Sequence, residues 1–299
     1  MNYRFLAPAK INLALRIVGR RQDGYHLLWT VMTFFPLYDQ LEITVPAADL
    51  QLHCEPPVTA DPTTNLVWRA ARRLQEVSGT RQGARLHLTK QIPHGAGLGG
   101  GSSDAATTLL ALNQLWHLHL SRPHLIEIGA RLGADIPIFL GGEAALAEGI
   151  GERLTPLPHL ATAALVVVNP GYTLSTAAVF QHWHRQQAEQ TARSAEPPLS
   201  RWQQEGVWPV LGNDLESTAM QMVPAIGLIP QALRQLGARA TLMSGSGSSL
   251  FGLFAGLEEA EQAAATLRAH HPEWQIFSGQ TFNRHPFSDE QESGIRIVC

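Results

Sequence analysis

The sequence predicts a mixed α+β chain with room for two domains, and three observations carry that expectation. Strand-like and helix-like segments follow one another along all 299 residues, a length that supports more than one buried core. The alternating stretch Ala84–Thr89, the glycine-rich run Pro93–Ala106 (PHGAGLGGGSSDAA) and the helical pattern Ala105–Trp116 form a strand, a loop and a helix in that order. Pro156-Leu157-Pro158 then breaks the pattern, dividing the chain into residues 1–156 and 157–285, with an acidic and polar tail over 286–299.

Taken in order, Tyr3–Val18 reads as extended chain interrupted at Ala7-Pro8-Ala9. Asp23-Gly24 signals a turn, and Tyr25–Leu37 is β-prone. Two separate short strands are expected at Leu41–Val45 and Leu50–Cys54. Leu66, Val67, Ala70, Ala71 and Leu74 fall at helical spacing, and Gly79 is placed to stop that helix. Ser121-Arg122-Pro123 opens a short helix that ends near Gly133. Glu143–Leu154 reads as a hairpin and Ala164–Asn169 as a buried strand. A short helix is expected over Thr176–Trp183, and Leu211–Asp214 opens a helical region running to Leu236. Gln186–Glu205, polar and holding Pro197-Pro198, reads as a loop or insertion. Ser244–Ser249 (SGSGSS) is a tight turn between apolar strands, and residues 257–269 are helical.

Composition removes several classes of function. A net charge of −3 lacks the basic excess that a nucleic-acid surface needs. No apolar run approaches the length that spans a bilayer, and the first ten residues do not resemble a signal peptide, so no membrane partner is expected. Cys54 and Cys299 cannot form a disulfide framework, which points to a reducing cytoplasm. The 13 histidines are scattered, and none pairs on a convincing metal-binding spacing.

The glycine-rich run suits a phosphate. The N-terminus of a helix carries a partial positive charge and unpaired N–H donors, and glycines let the backbone approach an anion closely. Ser102 and Ser103 add hydroxyls. No Gly-Lys dipeptide occurs, which excludes a Walker A loop, and the spacing of acidic residues does not fit a dinucleotide fingerprint. Twenty arginines stand against two lysines, Lys10 and Lys90. Both lysines become candidates for sites that need a compact ammonium, and Lys90 stands at the mouth of the loop. Asp135 is the one charge between Leu132 and Gly142; a helix cap or a working carboxylate would each account for it.

These residues resemble a known family. The pattern Pro93-x-x-x-Gly97-Leu98-Gly99-Gly100-Gly101-Ser102-Ser103 is similar to the phosphate loop of the galactokinase, homoserine kinase, mevalonate kinase and phosphomevalonate kinase superfamily. Pro8-Ala9-Lys10-Ile11-Asn12-Leu13, Asp23-Gly24-Tyr25-His26, Gly133–Phe139 and Ser244–Gly247 resemble one branch, the 4-diphosphocytidyl-2-C-methyl-D-erythritol kinases.

The resemblance implies a two-domain α+β fold with its active site in the cleft between domains. It implies transfer of the ATP γ-phosphoryl to the 2-hydroxyl of a cytidine-diphosphate sugar alcohol, on the non-mevalonate route to isoprenoid precursors. Asp135 matches the catalytic Asp and Lys10 its partner. Asn65 and Lys90 would contact ATP at the adenine, and Pro93, His94, Gly95, Ala96, Gly97, Leu98, Gly99, Gly100, Gly101, Ser102 and Ser103 would cradle its phosphates. Asn12, Tyr25, His26 and Phe180 would hold the cytidine end. Mg²⁺ is expected with ATP, with no carboxylate cage to identify its ligands. Two other readings remain open at this stage: a kinase of another small alcohol, such as mevalonate or homoserine, and a nucleotide-binding module without catalysis.

Overall fold

The computed structural model describes residues 1–187, 211–286 and 296–297. Its centre is a long antiparallel hairpin of β1 (Asn2–Arg20) and β2 (His26–Ala47), turned at Gly24 with φ +94°. The strands pair from Asn2↔Thr44 to Arg20↔His26, with register shifts between Pro8/Ala9, Asn12/Ala14 and Ile17/Gly19. The interruption expected at Pro8 is therefore a bulge inside a continuous strand. Proline lacks an N–H for the ladder, and a bulge absorbs the missing bond. The expected break between Leu37 and Leu41 is also absent, because β1 supplies a pairing partner on both sides of it.

A βαβ unit extends this sheet. β3 (Leu50–Glu55) and β4 (Gly83–Thr89) run parallel and are connected through α1 (Leu66–Ser78), which Gly79 ends at φ +72°. The strand order is β12-β1-β2-β4-β3, where β12 is Arg296–Ile297. The hairpin of β5 (Ala145–Gly149) and β6 (Arg153–Pro156) joins through β2, and the two-residue β8 (Gly212–Asn213) joins through β1. The helical region expected to open at Leu211 thus begins as a strand. α2 (Gly100–Leu115), α3 (Arg122–Ala130) and α4 (Ile136–Gly141) complete this half. Phe5, Phe34, Leu41 and Ile43 pack there against Val67 and Leu74 of α1 and Leu109 and Leu112 of α2.

The second sheet has the order β11-β7-β10-β9: Gln275–Gln280, Ala164–Asn169, Leu250–Phe254 and Ala240–Met243. All its pairings are antiparallel, and β7 is buried at every position. Leu165 and Val167 turn one way, toward Ile11 and Leu13 of β1. Val166 and Val168 turn the other way, into a core shared with α5 (Thr176–Gln187), α6 (Glu216–Met222), α7 (Leu228–Gln235) and α8 (Leu257–His270). Burial on both faces explains why this strand reads as an uninterrupted apolar run. β1 thus lines both halves of the molecule. Of the expected loop Gln186–Glu205, residues beyond Gln187 lie outside the described residues.

Candidate active site

The glycine-rich loop leaves β4, passes over the middle of β1 at Lys10 and enters α2. Gly95, Gly97 and Gly99 all have positive φ, at +64°, +77° and +71°. None of the three has room for a side chain: a Cβ on Gly95 would sit 2.6 Å from Thr173 Cγ2. A Cβ on Gly97 would sit 2.0 Å from the Ser244 carbonyl oxygen, and one on Gly99 would sit 2.9 Å from Lys10 Cγ. Backbone contacts fix the loop on both sides: Lys10 N donates to Leu98 O at 2.9 Å and Ser249 N donates to Ala96 O at 3.1 Å. Ser244 Oγ adds a bond to Gly97 O at 3.0 Å. The SGSGSS turn that joins β9 to β10 is therefore a brace beneath the loop.

A cavity of about 1070 Å³ opens above it. Every residue from Pro93 to Ser102 except Leu98 reaches its wall. Leu98 and Ser103 are buried beneath, Leu98 among the apolar side chains between the sheets. Lys10, on β1, lines the cavity although it is 2 % exposed. Its ammonium lies 3.6 Å from Asp135 Oδ2 and donates to Asn12 Oδ1. Asn12 in turn donates through Nδ2 to Thr30 Oγ1 at 2.8 Å, and Thr30 donates to Ala14 O at 2.7 Å. The Asn12 side chain, expected at the cytidine end, is thus engaged in orienting Lys10.

Asp135 occupies the cap position of α4 without making a side-chain cap bond, so its carboxylate is left for the cleft. That carboxylate is 42 % exposed at the cavity wall. Pro137, the second residue of the helix, has no N–H for the Asp135 carboxylate to cap.

Lys90 also reaches the cavity, but its ammonium is gripped by Asp39 Oδ2 and by Asp104 Oδ2, the latter at 2.7 Å. Asp39 Oδ1 accepts from Gln91 N and Ile92 N, at 2.6 and 2.8 Å, and so pins the start of the loop. Burial of Asp104 pushes its carboxyl up to about 8 despite the neighbouring ammonium, with the Asp39 charge adding to the effect. The two carboxylates drive Lys90 upward, against the effect of its own burial. Asn65 caps α1, accepting from Val67 N at 2.9 Å; its neighbour Leu66 lines the cavity.

The far end of the cavity is aromatic. Tyr25 is 61 % exposed, and the His26 and Phe180 rings stack with centroids 5.1 Å apart at 23°. Partial burial, then Arg20 and His184, hold the His26 imidazole below its usual value, so it is neutral near pH 7. Its Nε2 is buried and has no hydrogen-bond partner. A neutral ring offers one donor and one acceptor, the pattern that the edge of a nucleobase can meet.

Asp39, Asp104, Thr30 and Ser244 belong to this machinery and were not read from the sequence as site residues. Asp104 closes the motif as an ordinary helix-start acid would, and Asp39 sits alone in a strand; only their convergence on Lys90 distinguishes them.

Comparison with known proteins agrees with this architecture. Residues 65–143 match the model of the GHMP kinases N terminal domain, and residues 206–273 match GHMP kinases C terminal. The 4-diphosphocytidyl-2-C-methyl-D-erythritol kinase of Chromohalobacter salexigens is 43 % identical over 284 residues, covering 95 % of this chain and 92 % of that protein. The same enzyme of Dechloromonas aromatica is 44 % identical over 271 residues, covering 90 % and 94 %. A crystal structure of 4-(cytidine 5'-diphospho)-2C-methyl-D-erythritol kinase superposes with a TM-score of 0.80 at 38 % identity, covering 93 % of this chain and 99 % of that one. A homoserine kinase from Cytophaga hutchinsonii, 16 % identical with a TM-score of 0.67 over 99 % and 97 % of the two chains, shares the fold. The chain belongs to the GHMP kinases and, within them, to the 4-diphosphocytidyl-2-C-methyl-D-erythritol kinase family.

Proposed function

We propose that the cleft binds ATP over residues 93–103 and transfers its γ-phosphoryl to the 2-hydroxyl of 4-diphosphocytidyl-2-C-methyl-D-erythritol, a step toward isopentenyl diphosphate. The observation that carries this reading is the Lys10–Asp135 pair, 3.6 Å apart beside the glycine-rich loop. In phosphoryl transfer the protein's work is mostly alignment and charge neutralisation. The N-terminal amides of α2 and the loop backbone would receive the phosphates. The acceptor oxygen bonds to the γ-phosphorus as the bond to the β–γ bridging oxygen breaks, and ADP leaves. The hydroxyl proton passes to the Asp135 carboxylate. Lys10, held by Asn12, offsets charge on the transferring group and orients Asp135.

The stacked His26–Phe180 pair and the exposed Tyr25 ring suit a pyrimidine, which mevalonate and homoserine lack. One hard oxygen donor beside the loop, the Ser102 hydroxyl, lines the cavity. Mg²⁺ fits such a sparse set because it keeps several waters and binds largely through phosphates. When bound it would neutralise phosphate charge. We place the protein in the cytoplasm: its cysteine usage suits a reducing compartment, and no helix among the described residues is long and apolar enough to cross a membrane.

ADP release measured with the cytidine-diphosphate sugar alcohol, mevalonate, homoserine and galactose tests the assignment. Turnover with the first acceptor alone is expected. Comparable turnover with mevalonate or homoserine would reassign the acceptor, and none with any would leave a binding module.

A further inference from the structure

We propose a transition-metal site on the outer face of the N-terminal sheet, built from His53 and Glu55 of β3 and His87 of β4. The register places His53 directly beside His87, and Glu55 lies two residues further along the same strand, on the same face. One ligand atom from each residue lies within 4.8 Å of the other two. The imidazoles are 5.0 Å apart between centroids, and His87 Nε2 is 3.9 Å from Glu55 Oε2. Ligands of a tetrahedral zinc ion stand about 3.4 Å apart for bond lengths of about 2.1 Å, so small side-chain rotations close the site.

The chemistry selects the metal class. Two imidazoles and a carboxylate match Zn²⁺ and its neighbours in the first transition row, whereas Mg²⁺ prefers oxygen. His87 Nε2 is buried from water and has no hydrogen-bond partner, the state of a nitrogen awaiting a ligand. Glu42, opposite His87 on β2, is taken by Arg4, with Nη2–Oε1 at 2.7 Å. Three protein ligands remain, and water would complete the tetrahedron.

The site also has a structural consequence. Among the described residues, β3 is the outermost strand of its sheet and pairs with β4 alone. A bridging ion would fasten it there. The Glu55 carbonyl accepts from Lys90 N at 2.7 Å, so the fastened segment ends where the phosphate loop begins. None of the three ligands lines the kinase cavity, and the inference stands apart from the reaction assigned there.

Calorimetric titration of the full, metal-stripped, nucleotide-free chain with Zn²⁺ tests the site. One ion per chain with a micromolar dissociation constant is expected, with no saturable response to Mg²⁺ at the same concentrations. His87→Ala and His53→Ala should each weaken Zn²⁺ binding at least 10-fold, and Glu55→Gln should weaken it less. Zn²⁺ should raise the melting temperature of the native chain and leave that of His87→Ala unmoved, while ADP release is the same in both without Zn²⁺. Equal Zn²⁺ affinity in the native chain and both histidine variants would overturn the proposal. So would the absence of saturable binding below 1 mM. If His87→Ala fails to fold, His53→Ala, on the outer strand, decides the matter alone.

Discussion

Gly97 lies so close to Ser244 that a single added carbon would meet the Ser244 carbonyl oxygen at 2.0 Å. The phosphate loop of one half of the molecule thus rests directly on a strand turn of the other half. The backbone at Gly97 also has φ +77°, so a side chain there is opposed by conformation as well as by contact.

Gly97→Ala should therefore be a costly substitution. Strained backbone alone amounts to about 1–3 kcal/mol, and a backbone oxygen cannot rotate away as a side chain can. A melting temperature several degrees lower and at least a 10-fold lower kcat/KM for ATP are expected. A variant with native melting and native ATP kinetics would show that the loop and the Ser244 turn are not rigidly coupled.

Asp135→Asn removes the proton acceptor while keeping the shape of the side chain. General-base assistance is typically worth about 10²–10⁴ in rate. Turnover should drop about 10²-fold or more, with ATP affinity nearly unchanged because Asp135 is not part of the loop. Native turnover would take Asp135 out of the mechanism.

Tyr25→Ala should raise KM for the cytidine substrate about 10-fold and leave KM for ATP unaltered. Stacking of a base on an aromatic ring is worth about 1–3 kcal/mol, and Tyr25 is too exposed to matter greatly for folding. Parallel increases in both constants would instead indicate a disturbed fold.

The Asp39–Lys90–Asp104 cluster predicts a pH dependence of stability. Burial raises the Asp104 carboxyl to about 8 in the folded chain, above the ordinary unfolded value of about 3.9. Between those values the folded state binds the extra proton, so this group's contribution to stability declines as pH rises from about 4 to about 8. Asp104→Asn cannot ionise and should flatten the fall in melting temperature across that window. Parallel melting profiles for the two proteins from pH 5 to pH 8.5 would locate the dependence elsewhere.

Much of this site was legible locally. Five glycines between a strand and an apolar helix already imply a backbone shaped for an anion, because only glycine takes positive φ without strain. The scarcity of lysine singled out Lys10 and Lys90, and both line the cavity. What was not legible was pairing. Lys90 and Asn65 read as ATP contacts; the Lys90 ammonium lies between two carboxylates, and the Asn65 side-chain oxygen caps a helix. Asn12 read as a substrate contact and is bonded to Lys10 and Thr30. A sequence states which groups can accept or donate, but the partner is chosen by proximity in three dimensions.

Local chemistry alone set the elements: where glycine permits a bend, where alternation makes a strand, where Pro137 fits the first turn of a helix, and which side chains carry charge. Those properties depend on neighbours a few residues away, and they survive in any fold the chain adopts. Long-range packing bridges Pro8 with a bulge, sets the SGSGSS turn under the phosphate loop, and brings Lys10 to Asp135. Each of these joins segments far apart in the chain, and the packing of β1 against both halves is what brings them within a few ångströms.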